Sequence, residues 1–234
     1  MKQINFESID STNTYLKNNY KELDDFTFVS AKIQTQGRGR CNRKWDSENS
    51  NLLFSLLLKN ERYFAITNSI SIISAYTVLQ VLQDCGLKDL SIKWPNDVYV
   101  KDKKICGILL EATSLEEMEC LIIGVGLNVN QEVFDFSYNA ISMKNILNID
   151  IDIDELKNKL YKKFEDNLYQ LLNGYDFYMD IVSYDYLKNK QVYALINNQK
   201  RLVKVKGINR DYSLCVTDND KNYSINSGEI SFHI

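Results

Sequence analysis

The chain has 234 residues, of which 44% are hydrophobic, a content that supports a folded core and excludes a disordered polymer. Its formal net charge of −3 excludes a basic surface over the whole molecule of the kind that wraps DNA, although a local basic patch remains allowed. One proline and nine glycines exclude collagen-like and proline-rich linker sequences.

The histidine and cysteine content limits the chemistry further. His233 is the single histidine of the sequence, which excludes a metal site built from several histidines. The five cysteines are odd in number and contain no C-x-x-C pair, so we interpret them as free thiols in a reducing compartment. The sequence has no apolar run approaching ~18 residues and no signal-peptide core. We therefore expect a soluble, cytoplasmic protein.

The first elements along the chain are of α/β type. Asp10-Ser11-Thr12 has the residue types of a helix N-cap, and a short helix is expected after it. Strand-like runs at residues 26–33 and 51–59 flank a polar loop that contains glycine. Apolar residues then follow helical spacing over residues 66–82, and Gly86 is placed to end that helix in a left-handed conformation.

The remaining elements change type twice. Short apolar segments end with residues 105–110 and 119–125, whose apolar side chains occupy both alternating faces, so we expect both faces of these strands to be covered. Helical spacing returns from residue 154, and a second helix is predicted over residues 175–187. Residues 191–234 contain four or five short β-type segments. The pattern predicts a mixed sheet with helices, followed by a small β unit.

The most informative segment is the loop QTQGRGRCNRKW at residues 34–45. Two glycines alternate with basic residues, and the loop places four cations within seven residues: Arg38, Arg40, Arg43 and Lys44. Glycine lets backbone N–H groups approach an anion, arginine offers forked donors to phosphate or carboxylate, and Trp45 offers a flat face to a ring. The segment predicts either an anion-binding loop or a solvated basic loop that touches RNA. It matches neither a P-loop nor a dinucleotide fingerprint.

Three further segments follow strand-like runs. Residues 93–97, Lys-Trp-Pro-Asn-Asp, are predicted to form a turn. This turn is either an ordinary connection or one that presents Asn96 and Asp97 to a magnesium-bound phosphate or an amine. Lys104 either improves solubility at a strand edge or points at a ligand, and Gly107 leaves room for a ligand ring. Residues 124–130, GVGLNVN, either form a bulge and turn or let the backbone approach a nucleotide closely.

The order of these segments closely resembles the biotin–protein ligases. The resemblance rests on Ser11-Thr12-Asn13, Gln34-x-x-Gly37-Arg38-Gly39-Arg40 with Trp45, Lys93-Trp94-Pro95-Asn96-Asp97, Lys104-x-x-Gly107-Ile108-Leu109 and Gly124-x-Gly126-x-Asn128. It covers residues 8–131 and continues weakly in the tail at residues 207–209 and 227–231. It implies an α+β fold with a mixed, largely antiparallel sheet flanked by helices. The implied domains are a catalytic one over residues 1–188 and a small C-terminal β-barrel over residues 189–234.

The resemblance also implies an activity and its residues. A ligase of this family joins biotin to ATP, with Mg²⁺, retains biotinyl-5′-AMP, and passes the biotinyl group to a lysine of a biotin carboxyl carrier protein. The implied biotin-binding residues are Ser11, Thr12, Asn13, Gln34, Gly37, Arg38, Gly39, Arg40, Lys104 and Gly107. The implied ATP-binding residues are Arg38, Arg40, Arg43, Trp45, Asn96, Lys104 and Asn128. The implied catalytic residues are Lys104, Arg40 and Asp97, of which Asp97 is also the implied magnesium ligand.

The sequence departs from the family pattern in the basic loop and near its end. Cys41 and Asn42 stand where the family has an arginine and a glycine, and His233 stands where it often has an arginine near the nucleotide. The alternatives are a lipoate or octanoate ligase or transferase of the same fold, a non-enzymatic RNA-binding module, and a biotin-binding relative that has lost the transfer activity. The first matching motif begins at Ser11, so we expect no DNA-binding domain and no DNA partner. The lack of a long apolar run leads us to expect no membrane partner. A homodimer is expected by analogy alone.

Overall fold

The computed structural model of the chain describes residues 2–40, 43, 45, 50–114, 118–135, 139–196, 199–219, 221–226 and 230–231. Several positions interpreted above lie outside the described residues, and their roles stay predictions: Cys41, Asn42, Lys44, residues 227–229 and His233.

A mixed sheet of seven strands lies at the centre of the described structure. Its strands are β1 (Gln3–Ile9), β2 (Phe28–Gln34), β3 (Leu52–Leu58), β4 (Leu90–Lys93), β5 (Asp97–Val100), β6 (Lys103–Ser114) and β7 (Met118–Leu127). Their order is β1-β2-β3-β7-β6-β5-β4. β1 pairs with β2 in parallel, and the other neighbouring pairs are antiparallel. The predicted mixed, largely antiparallel sheet is confirmed.

The α-helices of the described chain are α1 (Thr12–Asn19), α2 (Thr67–Asp84), α3 (Met143–Leu147), α4 (Ile153–Leu172) and α5 (Tyr178–Val182). The predicted caps are confirmed: Ser11 caps α1 by accepting from the N–H of Thr14, and Gly86 follows α2 with a φ of +92°. None of the helices described here has both the length and the apolar character that crossing a membrane requires.

The helix predicted over residues 175–187 is wrong in extent, because α5 covers only Tyr178–Val182. Beyond α5 the backbone pairs with the edge of the central sheet. The N–H of Ile92 donates to the carbonyl of Tyr184 at 2.7 Å, and the N–H of Tyr186 donates to the carbonyl of Ile92 at 3.0 Å. The backbone groups of residues 184 and 186 therefore form hydrogen bonds with the edge strand β4 and not with a further helical turn.

Apolar side chains cover both faces of the central strands. On one face, Leu56 and Ile123 belong to a large cluster with residues of α2 and α4. On the other face, Leu57 and Ile122 pack with Leu16 of α1. Because alternate residues of a strand point to opposite faces, continuous apolar runs indicate two covered faces, as predicted.

A second, small sheet lies at the C-terminal end. Its described strands are β8 (Gln191–Ile196), β9 (Gln199–Ile208), β10 (Leu214–Asp218), β11 (Lys221–Ile225) and β12 (Ile230–Ser231), in the antiparallel order β11-β10-β9-β8-β12. The predicted C-terminal β unit is confirmed. Its buried residues Val192, Val205 and Val216 join the same apolar cluster as the central sheet. The domain boundary between residues 188 and 189 stays a prediction.

Candidate active site

A cavity of about 420 Å³ collects most of the side chains singled out from the sequence. The predicted site residues that line it are Ser11, Thr12, Asn13, Gln34, Arg38, Gly39, Arg40, Arg43, Trp45, Asn96, Asp97, Lys104, Gly107 and Asn128. Gly37 is not among the lining residues. Its carbonyl instead accepts from the N–H of Trp45 at 3.0 Å, so this glycine holds the loop that carries the lining residues.

Three glycines on β6 and β7, Gly107, Gly124 and Gly126, form the floor of the cavity. Gly107 pairs with Gly126, and Gly124 pairs with Leu109. A Cβ atom on Gly126 would lie 2.4 Å from the Trp45 ring, and one on Gly124 would lie 2.3 Å from Asn13 Oδ1. Real Cβ atoms do not approach other atoms so closely, so these floor glycines are needed for the two side chains to reach the sheet.

One end of the cavity carries a hydrogen-bond network between α1 and the sheet. The N–H of Thr12, at the start of α1, donates to Gln34 Oε1 at 2.7 Å. The Thr12 hydroxyl oxygen lies 3.0 Å from the same Gln34 oxygen and 2.6 Å from Ser55 Oγ. Ser55 Oγ donates to Asn13 Oδ1, and Asn13 Nδ2 donates to Glu111 Oε2 at 2.7 Å. The network therefore joins α1 to β2, β3 and β6.

Cations form a second group among the lining residues, and one of them reaches α1: Nη2 of Arg38 donates to Thr14 Oγ1 at 3.0 Å. Arg38, Arg40, Arg43, Lys93 and Lys104 line the cavity, against the carboxylates of Asp97, Glu111 and Asp135. Five cations against three carboxylates, within a partly buried space, favour an anionic ligand. The basic loop of residues 34–45 thus contributes to a cavity with a positive excess.

Arg40 is attached to the segment 93–97 through Asn96. Nη1 of Arg40 donates to Asn96 Oδ1 at 3.1 Å, and Asn96 Nδ2 donates to the carbonyl of Ile108 on β6 at 2.7 Å. Lys93 faces Asp97 across the β4–β5 pair. The turn therefore presents Asn96 and Asp97 at the cavity, and Asn96 connects the basic loop to the sheet.

Trp45 and Asn128 both line the cavity, but they differ in their hydrogen bonding. The indole ring of Trp45 lies over Gly107 and Gly126, and its Nε1 is buried without a hydrogen-bond partner among the described residues. Asn128 is 5% exposed, and its Nδ2 donates to the carbonyl of Ile141 at 3.2 Å. Asn128 therefore holds the backbone of the segment after β7, while Trp45 has an unused donor.

Lys93 is a lining residue to which the sequence analysis gave no role. Its Nζ donates to the hydroxyl of Tyr99 at 3.2 Å and lies 5.0 Å from the centroid of that ring. Burial lowers the pKa of Lys93; the charge of Asp97 acts in the opposite direction, and the charges of Lys104, Lys190 and Arg43 lower the pKa further. Its position at the start of the Lys-Trp-Pro-Asn-Asp segment was the signal available in the sequence.

Glu111 is the second residue that the sequence analysis missed. It lines the cavity and accepts from Asn13, which lies 98 positions earlier in the chain. The signal was strand periodicity: Gly107, Leu109 and Glu111 alternate along β6 and therefore share one face.

The carboxylates do not form a metal centre of their own. No group of three or more His, Cys, Asp or Glu residues that could hold a metal ion occurs in the part of the chain that the structure describes. Asp97, the predicted magnesium ligand, has its Oδ1 2.7 Å from Lys104 Nζ. A single carboxylate is compatible with Mg²⁺ that is already bound to nucleotide phosphates, because such an ion needs only one or two carboxylates from the protein.

Comparisons with known proteins agree on one family. The family model described as Biotin/lipoate A/B protein ligase family matches residues 5–128. The chain is 37% identical over 123 residues to Bifunctional ligase/repressor BirA of Escherichia coli (strain K12), covering 52% of this chain and 38% of that protein. It is 30% identical over 181 residues to Biotin--protein ligase 2 of Arabidopsis thaliana, covering 74% of this chain and 52% of that protein. The chain therefore matches only about a third to a half of the length of each of these two relatives, 38% and 52% respectively.

A solved structure matches nearly the whole chain. The biotin protein ligase from Aquifex aeolicus in complex with biotin and ATP aligns with a TM-score of 0.89 and 29% identity, covering 99% of this chain and 98% of that chain. Biotin acetyl coenzyme A carboxylase synthetase from Helicobacter pylori, with bound biotinylated ATP, has the same fold, with a TM-score of 0.65 at 23% identity. Both sheets of the fold are therefore shared with these proteins.

Proposed function

Because this chain belongs to the biotin/lipoate A/B protein ligase family, we propose that it is a biotin–protein ligase that uses ATP to attach biotin to a carrier protein. The observation that carries the proposal is the cavity in which a hydrogen-bond network and five cations meet over the floor glycines. The relatives named as biotin ligases, and the A. aeolicus complex with biotin and ATP, support biotin as the acid.

The first proposed step forms the adenylate. A carboxylate oxygen of biotin attacks the α-phosphorus of ATP, the bond from that phosphorus to the bridging oxygen breaks, and pyrophosphate leaves with both electrons of that bond. The two reactants repel each other because both are anionic. Lys104, Arg38 and Arg40 supply fixed positive charge that offsets this repulsion and stabilises the charge developing at phosphorus.

The network end is proposed to hold the ureido ring of biotin. Ser11, Thr12, Asn13 and Gln34 line that end, where the backbone of α1 begins and where both amide side chains are held by hydrogen bonds. Gly37 and Gly39 let the loop close over the ligand, and Gly107 leaves space beside it. The ring would therefore lie at the start of α1, and the carboxylate would lie among the cations, of which Arg38 contacts α1 through Thr14.

The nucleotide is proposed to lie between the basic loop and the turn at residues 93–97. Arg43 and Asn96 would contact phosphates, and Trp45, whose indole N–H has no partner within the described part of the chain, would contact the base. Asn128, which follows β7, would form one side of the nucleotide site. Mg²⁺ is proposed to enter with ATP, as part of the substrate, and to contact Asp97 when bound.

The second proposed step uses the carrier protein as partner. The amine of a lysine on a biotin carboxyl carrier protein attacks the carbonyl carbon of biotinyl-5′-AMP, an amide forms, and AMP leaves. Asp97 borders the cavity and would attract the ammonium group of that lysine before it loses its proton. The absence of a DNA partner and the presence of a homodimer stay predictions, measurable by DNA filter binding and by light scattering.

A direct experiment tests the proposal. The protein is mixed with ATP, Mg²⁺ and either biotin or lipoate, and the tightly held product is identified by mass spectrometry after gel filtration. We expect biotinyl-5′-AMP, pyrophosphate release that depends on biotin, and transfer to an added carrier domain. Formation of the lipoyl adenylate alone would instead support the lipoate ligase, and binding of RNA without pyrophosphate release would support the RNA-binding module.

A further inference from the structure

The chain that follows β7 forms one wall of the cavity without forming a helix or a strand. This wall segment, residues 128–135, belongs to no regular element of the described structure. Its side chains that line the cavity are those of Asn128, Gln131, Phe134 and Asp135. Glu132, Val133 and Asp135 are exposed, so apolar burial contributes little to holding this part of the segment. Its position therefore depends mainly on polar contacts with the rest of the molecule.

One buried amide holds the start of the wall segment. Asn51 directly precedes β3, at the end of the sheet where β7 also ends. Its Oδ1 accepts from the N–H of Val129 at 3.1 Å, and its Nδ2 donates to Gln131 Oε1 at 2.6 Å. Gln131 Nε2 in turn donates to the carbonyl of Val133 at 3.0 Å. Hydrogen bonds therefore lead from Asn51 to the exposed part of the wall segment.

Burial makes these contacts costly to lose. Asn51 and Gln131 are each 2% exposed, so water has little access to replace a partner that either amide loses. The segment is also attached through Glu132, whose carboxylate lies 2.6 Å from Lys144 Nζ and whose carbonyl accepts from Asn145 at 3.2 Å. Because that carboxylate is 65% exposed, its ion pair contributes little. The Asn51 amide is therefore the stronger attachment.

We infer that Asn51 is a positioning residue that holds the wall segment through Gln131 and thereby sets the affinity of the cavity for a nucleotide. The identity of that ligand rests on the proposed function, in which Asn128 forms one side of the ATP site. Asn51 itself is not among the described residues that line the cavity, so it acts through the segment. Without its amide, the N–H of Val129 and the side chain of Gln131 each lose a buried partner, and the segment is free to leave its place.

The proposed site of the acid lies farther along β7. A Cβ atom on Gly124 would contact Asn13 at the start of α1, and the wall segment begins four positions later, at Asn128. Four residues of extended chain span about 13 Å. Loosening the wall segment should therefore affect the binding of ATP more than the binding of biotin.

The test compares Asn51→Leu with a matched control at another buried amide. Asn167 is also 2% exposed, and its Nδ2 donates to Thr77 Oγ1 and to Gln80 Oε1, both at 2.8 Å, between α4 and α2. Asn167→Leu therefore removes comparable hydrogen bonds from a side chain that does not line the cavity. Asn51→Asp is the milder variant, because aspartate keeps an acceptor oxygen and removes only the donor. It keeps the test available if Asn51→Leu does not fold.

Three quantities are measured for each protein. Calorimetry gives the Kd for ATP with Mg²⁺ in the presence of biotinol, an analogue of biotin that lacks the reacting carboxylate. Pyrophosphate release with biotin gives the KM values for ATP and for biotin. Hydrogen exchange, followed by mass spectrometry, reports on the peptide that covers residues 128–135.

We expect Asn51→Leu to weaken ATP binding about five- to thirtyfold, the scale of losing one or two buried hydrogen bonds, and to speed exchange in residues 128–135. The KM for biotin should stay within about twofold. Asn51→Asp should change ATP affinity in the same direction by a smaller factor. Asn167→Leu should leave ATP affinity and this exchange unchanged, although it lowers the free energy of unfolding.

Unchanged ATP affinity or unchanged exchange of residues 128–135 in the Asn51 variants overturns the inference. A weakening that Asn167→Leu shares, or an equal rise of both KM values, also overturns it. A wild-type protein that binds ATP but releases no pyrophosphate with biotin rejects the proposed ligase, and the inference then holds if the Asn51 variants alone weaken ATP binding. A wild-type protein that binds no ATP rejects both.

Discussion

Lys104 and Asp97 form an ion pair across the neighbouring strands β5 and β6, with Nζ of Lys104 2.7 Å from Oδ1 of Asp97. Both side chains are largely shielded from water, with side-chain exposures of 29% and 20%. Nζ of Lys104 also lies 5.3 Å from the centroid of the Trp45 ring. The ammonium group is thus fixed beside the cavity before a ligand arrives, which is the arrangement that electrostatic catalysis requires.

The first prediction concerns this ammonium group. Lys104→Ala should slow adenylate formation by ~10²-fold or more, the scale of losing one preorganised charge donor, as measured by biotin-dependent pyrophosphate release. Lys101→Ala is the control, because Lys101 lies in the short connection just before β6 and pairs with Asp89 at 3.9 Å on the exposed surface. A Lys104→Ala protein that releases pyrophosphate at the wild-type rate would contradict the role assigned to Lys104.

The second prediction separates the two ends of the cavity through its floor. Gly124→Ala places a methyl group against Asn13, and Gly126→Ala places one against the Trp45 ring. We expect Gly124→Ala to raise mainly the KM for biotin, and Gly126→Ala to raise mainly the KM for ATP and to shift the tryptophan fluorescence. Each variant serves as the control for the other. Equal changes of both KM values in both variants would argue against separate sites for the acid and the nucleotide.

The third prediction uses the titration of Lys93. Its pKa is lower in the folded protein than in the unfolded chain, so between the two pKa values the unfolded chain binds more protons, and raising the pH favours the folded state. The free energy of unfolding of the wild type should therefore rise relative to that of Lys93→Met as the pH increases toward 10. Urea unfolding at several pH values measures this difference. If the free energies of unfolding of the two proteins change with pH in parallel, the pKa of Lys93 is the same in the folded protein and the unfolded chain, and the prediction is wrong.

The fourth prediction concerns the connection between the two sheets. The indole N–H of Trp94 donates to the carbonyl of Tyr212 at 2.8 Å, so Trp94→Phe removes the donor from a partly buried carbonyl and should destabilise the protein by about 1 kcal/mol. Trp45→Phe is the matched control for stability, because Trp45 Nε1 has no partner among the described residues. The apolar cluster that spans both sheets leads us to expect one cooperative unfolding transition. Two separate transitions would instead support independent domains divided near residue 188.

Local features of the fold could be predicted from the sequence because they depend on neighbouring residues. A serine before a helix offers its oxygen to the first free N–H groups, and glycine after a helix tolerates a positive φ, so the cap of α1 and the end of α2 follow from Ser11 and Gly86. Continuous apolar runs likewise indicated that β6 and β7 are covered on both faces. The helix over residues 175–187 failed because a distant strand edge at Ile92 took up the backbone hydrogen bonds.

The sequence by itself determined which side chains are available for the chemistry and on which face of its own strand or helix each one lies. The tertiary structure decided which of them meet. Strand order brought Ser55 of β3 and Glu111 of β6 to the start of α1, and it turned Gly124 and Gly126 from bulge candidates into the floor under Asn13 and Trp45. Periodicity fixes the direction of a side chain relative to its own backbone, whereas contacts between segments 98 residues apart depend on how the whole sheet is ordered.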